Sequence, residues 1–182
     1  MRFERALLRN LNELGRAILE RRAMVGMEAA ESSHTVDFFR LAYDAMFNDM
    51  CSHAIKVFDK NPCSSTFWYL YRCEKKAVEQ FAEDHKFQFS LLETLGNKLT
   101  HVRNKTHFHI DKKDVFNPEK VWREAAISGR ELALGIDSAY AILAHLHQVR
   151  FGRPFNLPKY DGSDATEIIH CWEQHRQQYR SC

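Results

Sequence analysis

Apolar side chains recur three and four positions apart along almost the whole chain, and this spacing constrains the fold more than any other feature. Phe3, Leu7, Leu11, Leu14 and Ile18 form the first such stripe, with arginines and glutamates on the opposite face. A period near 3.6 is that of an amphipathic helix, whereas a half-buried strand would alternate. No segment alternates convincingly, and only seven glycines and four prolines are spread over 182 residues, too few for a strand-and-turn architecture.

Read in order, the chain predicts six helices. A break falls around Ala29 to Ser33. A second long helix carries Val36, Phe39, Met46, Met50, Ala54 and Val57, with Phe38, Leu41, Ala42 and Ala45 widening the stripe as for a central helix. Asn61-Pro62 ends it, because proline disfavours helix at the residue before it. Ser64 or Ser65 is the expected cap of a third helix reaching about Glu83. Ser90 and Glu93 have capping-box spacing ahead of Leu92, Leu95, Leu99 and Val102. Asn117-Pro118-Glu119 restarts helix with a cap, a proline at the first helical position and an acid in the first turn. That fifth helix is expected to run through Leu146. Gly152 to Gly162 reads as an ordered loop, and Asp164 with Glu167 opens the last helix. The expected architecture is all-α, an up-and-down bundle of about five to six helices in a single domain spanning residues 1–182.

The formal net charge of +2 is too small for the chain as a whole to grip a polyanion, so any nucleic-acid footprint must be local. Five cysteines, odd in number and without a CxxC pair, fit reduced thiols and a cytoplasmic protein better than a disulfide framework. The arginine-rich first helix carries Glu4, Glu13 and Glu20, unlike an acid-poor transit peptide. The most apolar segment, Leu132 to Leu146, holds Asp137 and His145 and is too short to span a bilayer, so no membrane partner is expected.

Chemistry concentrates between Leu99 and Asp111, LTHVRNKTHFHID. From Lys98 to Asp114, Lys98, Arg103, Lys105, Lys112 and Lys113 oppose Asp111 and Asp114, with His101, His107 and His109 among them, which makes a local cationic site suited to phosphate. Arg103 and His107 are four apart and share a helix face. Arg103 and His109 are six apart and would diverge by roughly 240° on a continued helix. Their convergence requires the helix to stop or bend near Thr106, or a second subunit to bring the groups together.

Arg103-Asn104 followed by His109, with five residues between arginine and histidine, resembles the motif of the HEPN superfamily, an arginine, often with a polar residue directly after it, and a histidine after four to six intervening residues. The apolar helix entering this segment and the long helix after it look like the abortive-infection AbiU branch of that superfamily. The resemblance covers most of the chain in helix order, but in its residues only from about Leu95 to Asp111. One departure is the extra His107, where the branch usually carries an apolar or small residue, so His107 and His109 both stand as candidates for the active histidine.

The resemblance implies a metal-independent RNase acting as a homodimer with the motif helices face to face, a toxin or phage-defence effector restrained by a separate antitoxin. His109 would move a proton at the 2′-hydroxyl or the leaving oxygen, since imidazole titrates near neutrality. Arg103, permanently charged and bidentate, would hold the scissile phosphate, and Asn104 would orient the phosphate or the imidazole. Lys98, Lys105, His107 and Lys112 would contact the RNA strand. No cofactor is implied, and the products would be a 2′,3′-cyclic phosphate and a 5′-hydroxyl.

Plainer readings compete. Arg103 and the histidines would then cap helix carbonyls and pair with Asp111, leaving a non-catalytic module that binds nucleotide or RNA, or only dimerises. His101 reads as a solvated surface residue and Phe67-Trp68-Tyr69 as core rather than a base-stacking platform. The pairs His107/His109 and His145/His147 sit at i,i+2, which point apart on a helix, and nothing completes a zinc set around them, so no metal is expected.

Overall fold

A computed structural model describes residues 2–28, 36–107 and 118–180, with the side chains of Thr106, His107, Pro118, Glu119, Gln177, Tyr179 and Arg180 excepted. Every regular element among the described residues is helical: α1 (Arg2–Glu28), α2 (Asp37–Phe58), α3 (Phe67–Cys73), α4 (Lys75–Asp84), α5 (Phe89–Val102), a π turn (Arg103–His107), α6 (Pro118–Ala125), α7 (Gly129–Phe151) and α8 (Ser163–Arg180). The fold is all-α. No helix among the described residues is long and apolar enough to cross a membrane.

The eight α-helices exceed the expected five to six because two expected helices are each broken once. The third divides at Glu74, which stands between α3 and α4 with φ −126°. The fifth divides at Ala126, whose φ of 49° lies in the left-handed region, and Ser128 caps α7 by accepting a hydrogen bond from the Glu131 amide. Two caps also differ from expectation. Neither Ser64 nor Ser65 opens α3, whose N-cap is Thr66, and Gln88 precedes α5 in place of the Ser90–Glu93 box. The start of α6 at Pro118 and the glycine stop after α7, Gly152 with φ 67°, follow the local sequence signals.

The described residues form two compact units, Met1–Gly15 with Ser52–Asn156 and Arg16–Cys51 with Leu157–Cys182. The division falls inside α1 and inside α2 rather than in a linker.

In the first unit, α5 buries Leu92, Leu95, Leu99 and Val102 and packs against α6 and α7, where Leu95 lies against the bare backbone of Gly135. From α3, Phe67 and Trp68 are buried as expected for core, and Trp68 Nε1 donates to the Phe58 carbonyl at the end of α2. A polar link joins α1 to α2: His53, only 3% exposed, meets Glu13 at 2.6 Å, and Lys56 lies 3.4 Å from the same oxygen. Partial burial opposes the charge on Glu13, but the His53 hydrogen bond and the neighbouring cations outweigh it and hold the carboxyl below its ordinary pKa. Stabilisation from a depressed carboxyl is complete above its unfolded-state value and disappears as pH falls through its folded one. Glu13→Gln is therefore expected to cost about 1–3 kcal/mol at neutral pH and to flatten the acid limb of the stability profile, measured by urea denaturation. An unchanged acid limb would remove Glu13 from the account.

The second unit is built around Met27, Phe39 and Ile169, with Met46, Tyr43 and Trp172 packed on them. Here Phe38 and Leu41 are 72% and 63% exposed and Ala45 is exposed as well, so of the four positions expected to widen the α2 stripe only Ala42 is partly covered, while Phe39 of the main stripe faces inward. Cys51 is fully buried, and burial together with the Glu20 carboxylate pushes its thiol up to about 12, whereas Cys63, Cys73 and Cys171 are exposed. Iodoacetamide at neutral pH should label these three and spare Cys51, since the thiolate is the nucleophile. Mass spectrometry showing Cys51 labelled at the rate of the others would contradict the burial.

Candidate active site at the end of helix α5

The regular α-helix stops at Val102, and the π turn begins at Arg103. A π turn inserts one residue into the hydrogen-bonding cycle and re-aims the side chains that follow; such turns recur at functional sites. The π turn runs through Thr106, so the winding alters at the position where the sequence required the helix to stop or bend, while the chain stays helical as far as His107.

Arg103 is partly accessible, its side chain 27% exposed, and all three guanidinium nitrogens are engaged. Nε and Nη2 donate to the Asn104 Oδ1 at 3.1 and 3.0 Å, and Nη1 meets Asp59 Oδ1 at 2.8 Å. This fork orients the Asn104 amide so that its Nδ2 group is left to donate elsewhere. Asp59 follows directly on the last residue of α2, and its Oδ1 also accepts from the Asn61 amide at 3.1 Å. The Asn61-Pro62 stop therefore has a second consequence: it holds a carboxylate beside Arg103.

The sequence did not single out Asp59. Nothing in its own neighbourhood marks it, since the signal lies in the folding of α2 against the end of α5. Among the expected strand contacts, Lys98 is bonded to both oxygens of Glu131 at 2.9 Å and to the Ala126 carbonyl at 2.8 Å, which braces the break between α6 and α7. Lys105 is half-buried within the π turn. His107 closes that turn. His109 and Lys112, with Asp111, lie outside the described residues.

His101, His145 and His147 have separate surroundings. His101 is exposed. His145 stacks on Phe81 at 4.4 Å between ring centroids, while His147 is buried beside Phe151 and Phe155 with Nδ1 3.0 Å from the Arg153 carbonyl. The two serve different neighbours, as their i,i+2 spacing implies.

In comparison with known proteins, no family model, no curated protein and no solved structure matches this chain.

Proposed function

We propose that this protein is a metal-independent endoribonuclease of the HEPN type that works as a homodimer, with Arg103, Asn104 and His109 as its catalytic set. The reading rests on the motif's resemblance, and one structural observation supports it most: Arg103 opens a π turn with its guanidinium and the Asn104 amide locked into one polar unit. Such a unit suits a phosphodiester, since the guanidinium neutralises the phosphorane oxygens and the free Nδ2 donates to one of them. An imidazole would take the 2′-hydroxyl proton, the 2′-oxygen would attack phosphorus, and the 5′-oxygen would leave with a proton. Water enters neither bond, so a 2′,3′-cyclic phosphate and a 5′-hydroxyl result. In a homodimer, a second copy of the set supplies the second proton-transfer group. A growth-arresting toxin or phage-defence role, checked by a separate antitoxin, follows from the same resemblance.

A second reading is favoured by the Asp59 contact. An arginine whose nitrogens are all engaged is also what a non-catalytic module would have, its Arg103 joining α2 to the end of α5. The two diverge in one experiment: purified protein with total RNA in EDTA, beside His109→Ala. The nuclease gives cleavage that survives chelation, needs His109 and leaves cyclic ends. Cleavage unchanged in the variant overturns the assignment, and absence of cleavage by either protein favours the binding module. A monomer in sedimentation at micromolar concentration removes the composite site.

A further inference from the structure

Between the connector leading into α5, the first turn of that helix and the first half of α7 lies a groove of about 430 Å³. That volume is in the range of small-molecule sites, about 300–1,000 Å³. Its apolar lining is the buried Leu92 with Phe87, Leu91 and Leu134, and the two last are 46% and 50% exposed.

Three charged groups share the lining. Glu131 is the one acid, and Lys98, which lies outside the lining, bonds both of its oxygens at 2.9 Å. Lys86 and Arg130 are exposed, and among the described residues no carboxylate pairs with either. The Lys98–Glu131 pair is neutral in itself, so two positive charges remain. They stand towards opposite ends. α5 and α7 run antiparallel, since Lys98 meets Glu131 while Leu95, about a turn earlier, lies against Gly135, a turn later. Phe81 of α4 stacks on His145, which sets the connector that follows, with Lys86, beside the later turns of α7. Ser138 ends the lining on that side and Arg130 lies at the other, about 12 Å away along the helix.

We infer that this groove binds a dianionic amphiphile, two carboxylates joined by an apolar chain about 12 Å long. One carboxylate lies on Arg130, the other on Lys86, and the chain covers Leu91, Leu92 and Leu134. Covering the leucines removes apolar surface from water on both partners. A guanidinium holds a carboxylate through two charge-assisted bonds, and an ammonium attracts the second as a point charge. An extended ten-carbon diacid has the required length, each of its bonds advancing roughly 1.25 Å. A partner protein fits less well, because eleven lining residues are about half of the 20–30 that one side of a stable protein interface uses. The inference is independent of the nuclease reading, since Arg103 does not line the groove.

The test follows backbone amide NMR shifts of the isotope-labelled full chain during titration with decanedioate, decanoate, butanedioate and 1,10-decanediol. Decanedioate is expected to move amides in Lys86–Leu92 and Ser128–Ser138. It should bind about tenfold more tightly than decanoate, which has one charge, and more tightly still than the uncharged diol. Butanedioate is too short to reach both cations and should not bind at the same concentrations. Arg130→Gln and Lys86→Gln, both at exposed positions, should each bring decanedioate down to the affinity of decanoate with spectra otherwise unchanged. Shifts only elsewhere, no shift at millimolar decanedioate, or indifference to either substitution would overturn the site. Equal binding of decanoate would overturn the two-headed ligand, and equal binding of butanedioate would overturn the apolar chain.

Discussion

His109→Ala is expected to lower RNA cleavage in EDTA by about 10²–10⁴-fold, the usual contribution of a positioned general acid or base, with thermal stability unchanged. The same assay on His107→Ala identifies the active imidazole. If His107→Ala loses activity and His109→Ala keeps it, the proton chemistry belongs to the histidine that closes the π turn. Arg103→Ala behaves differently, because its guanidinium has two duties. Removing it should weaken RNA binding and catalysis together and also cost about 1–2 kcal/mol of stability, since Asp59 loses its 2.8 Å partner. Arg103→Lys separates the duties: an ammonium can still pair with Asp59 but cannot bond Asn104 through a fork and hold a phosphate bidentately. Preserved stability with lost cleavage is the nuclease outcome. Lost stability with cleavage unchanged in both variants returns Arg103 to the structural role.

The helices whose signals are local are legible in the sequence. The spacing of Phe3 to Ile18 lies in α1, Asn61-Pro62 stands just beyond α2, and α6 starts at Pro118. What escaped was of two kinds. The break at Ala126 carried a local signal that the apolar stripe overrode, Ser128-Gly129 with Glu131 at capping-box spacing, and Lys98, from α5, braces it by donating to the Ala126 carbonyl and clamping Glu131 in the next helix. Phe38 and Leu41 share the apolar character of Phe39, and periodicity alone does not tell a wide buried face from an exposed one. The candidate site divides the same way. Arg103 and Asn104 are readable as neighbours in a polar run, whereas Asp59 comes from a separate part of the chain and has no sequence period to reveal it.

Gly162→Ala should give the largest loss of stability of any single methyl group added to the second unit. Gly162 lies just before α8 with φ 88°, a conformation that L residues rarely adopt, and a Cβ there would stand 2.1 Å from the Arg22 carbonyl oxygen. The approach is reciprocal, because a Cβ on Gly26 would stand 2.1 Å from the Gly162 carbonyl oxygen. Both obstacles are backbone atoms, which no rotamer change can move aside. The crossing is also tied: Thr166 Oγ1 donates to the Gly26 carbonyl at 2.6 Å and Arg22 Nη1 to the Tyr160 carbonyl at 2.8 Å, so separating the segments breaks hydrogen bonds as well. Strain and overpacking together put Gly162→Ala at roughly 3 kcal/mol or more and Gly26→Ala, whose φ is ordinary, at roughly 2 kcal/mol. Gly152 provides the comparison, since its φ of 67° is similarly left-handed but a Cβ there meets nothing within 4 Å. Gly152→Ala isolates the conformational cost, about 1 kcal/mol. Urea denaturation of the three variants thus separates the two effects. A Gly162→Ala loss no larger than that of Gly152→Ala would mean that α1 and the segment before α8 do not cross this closely in solution.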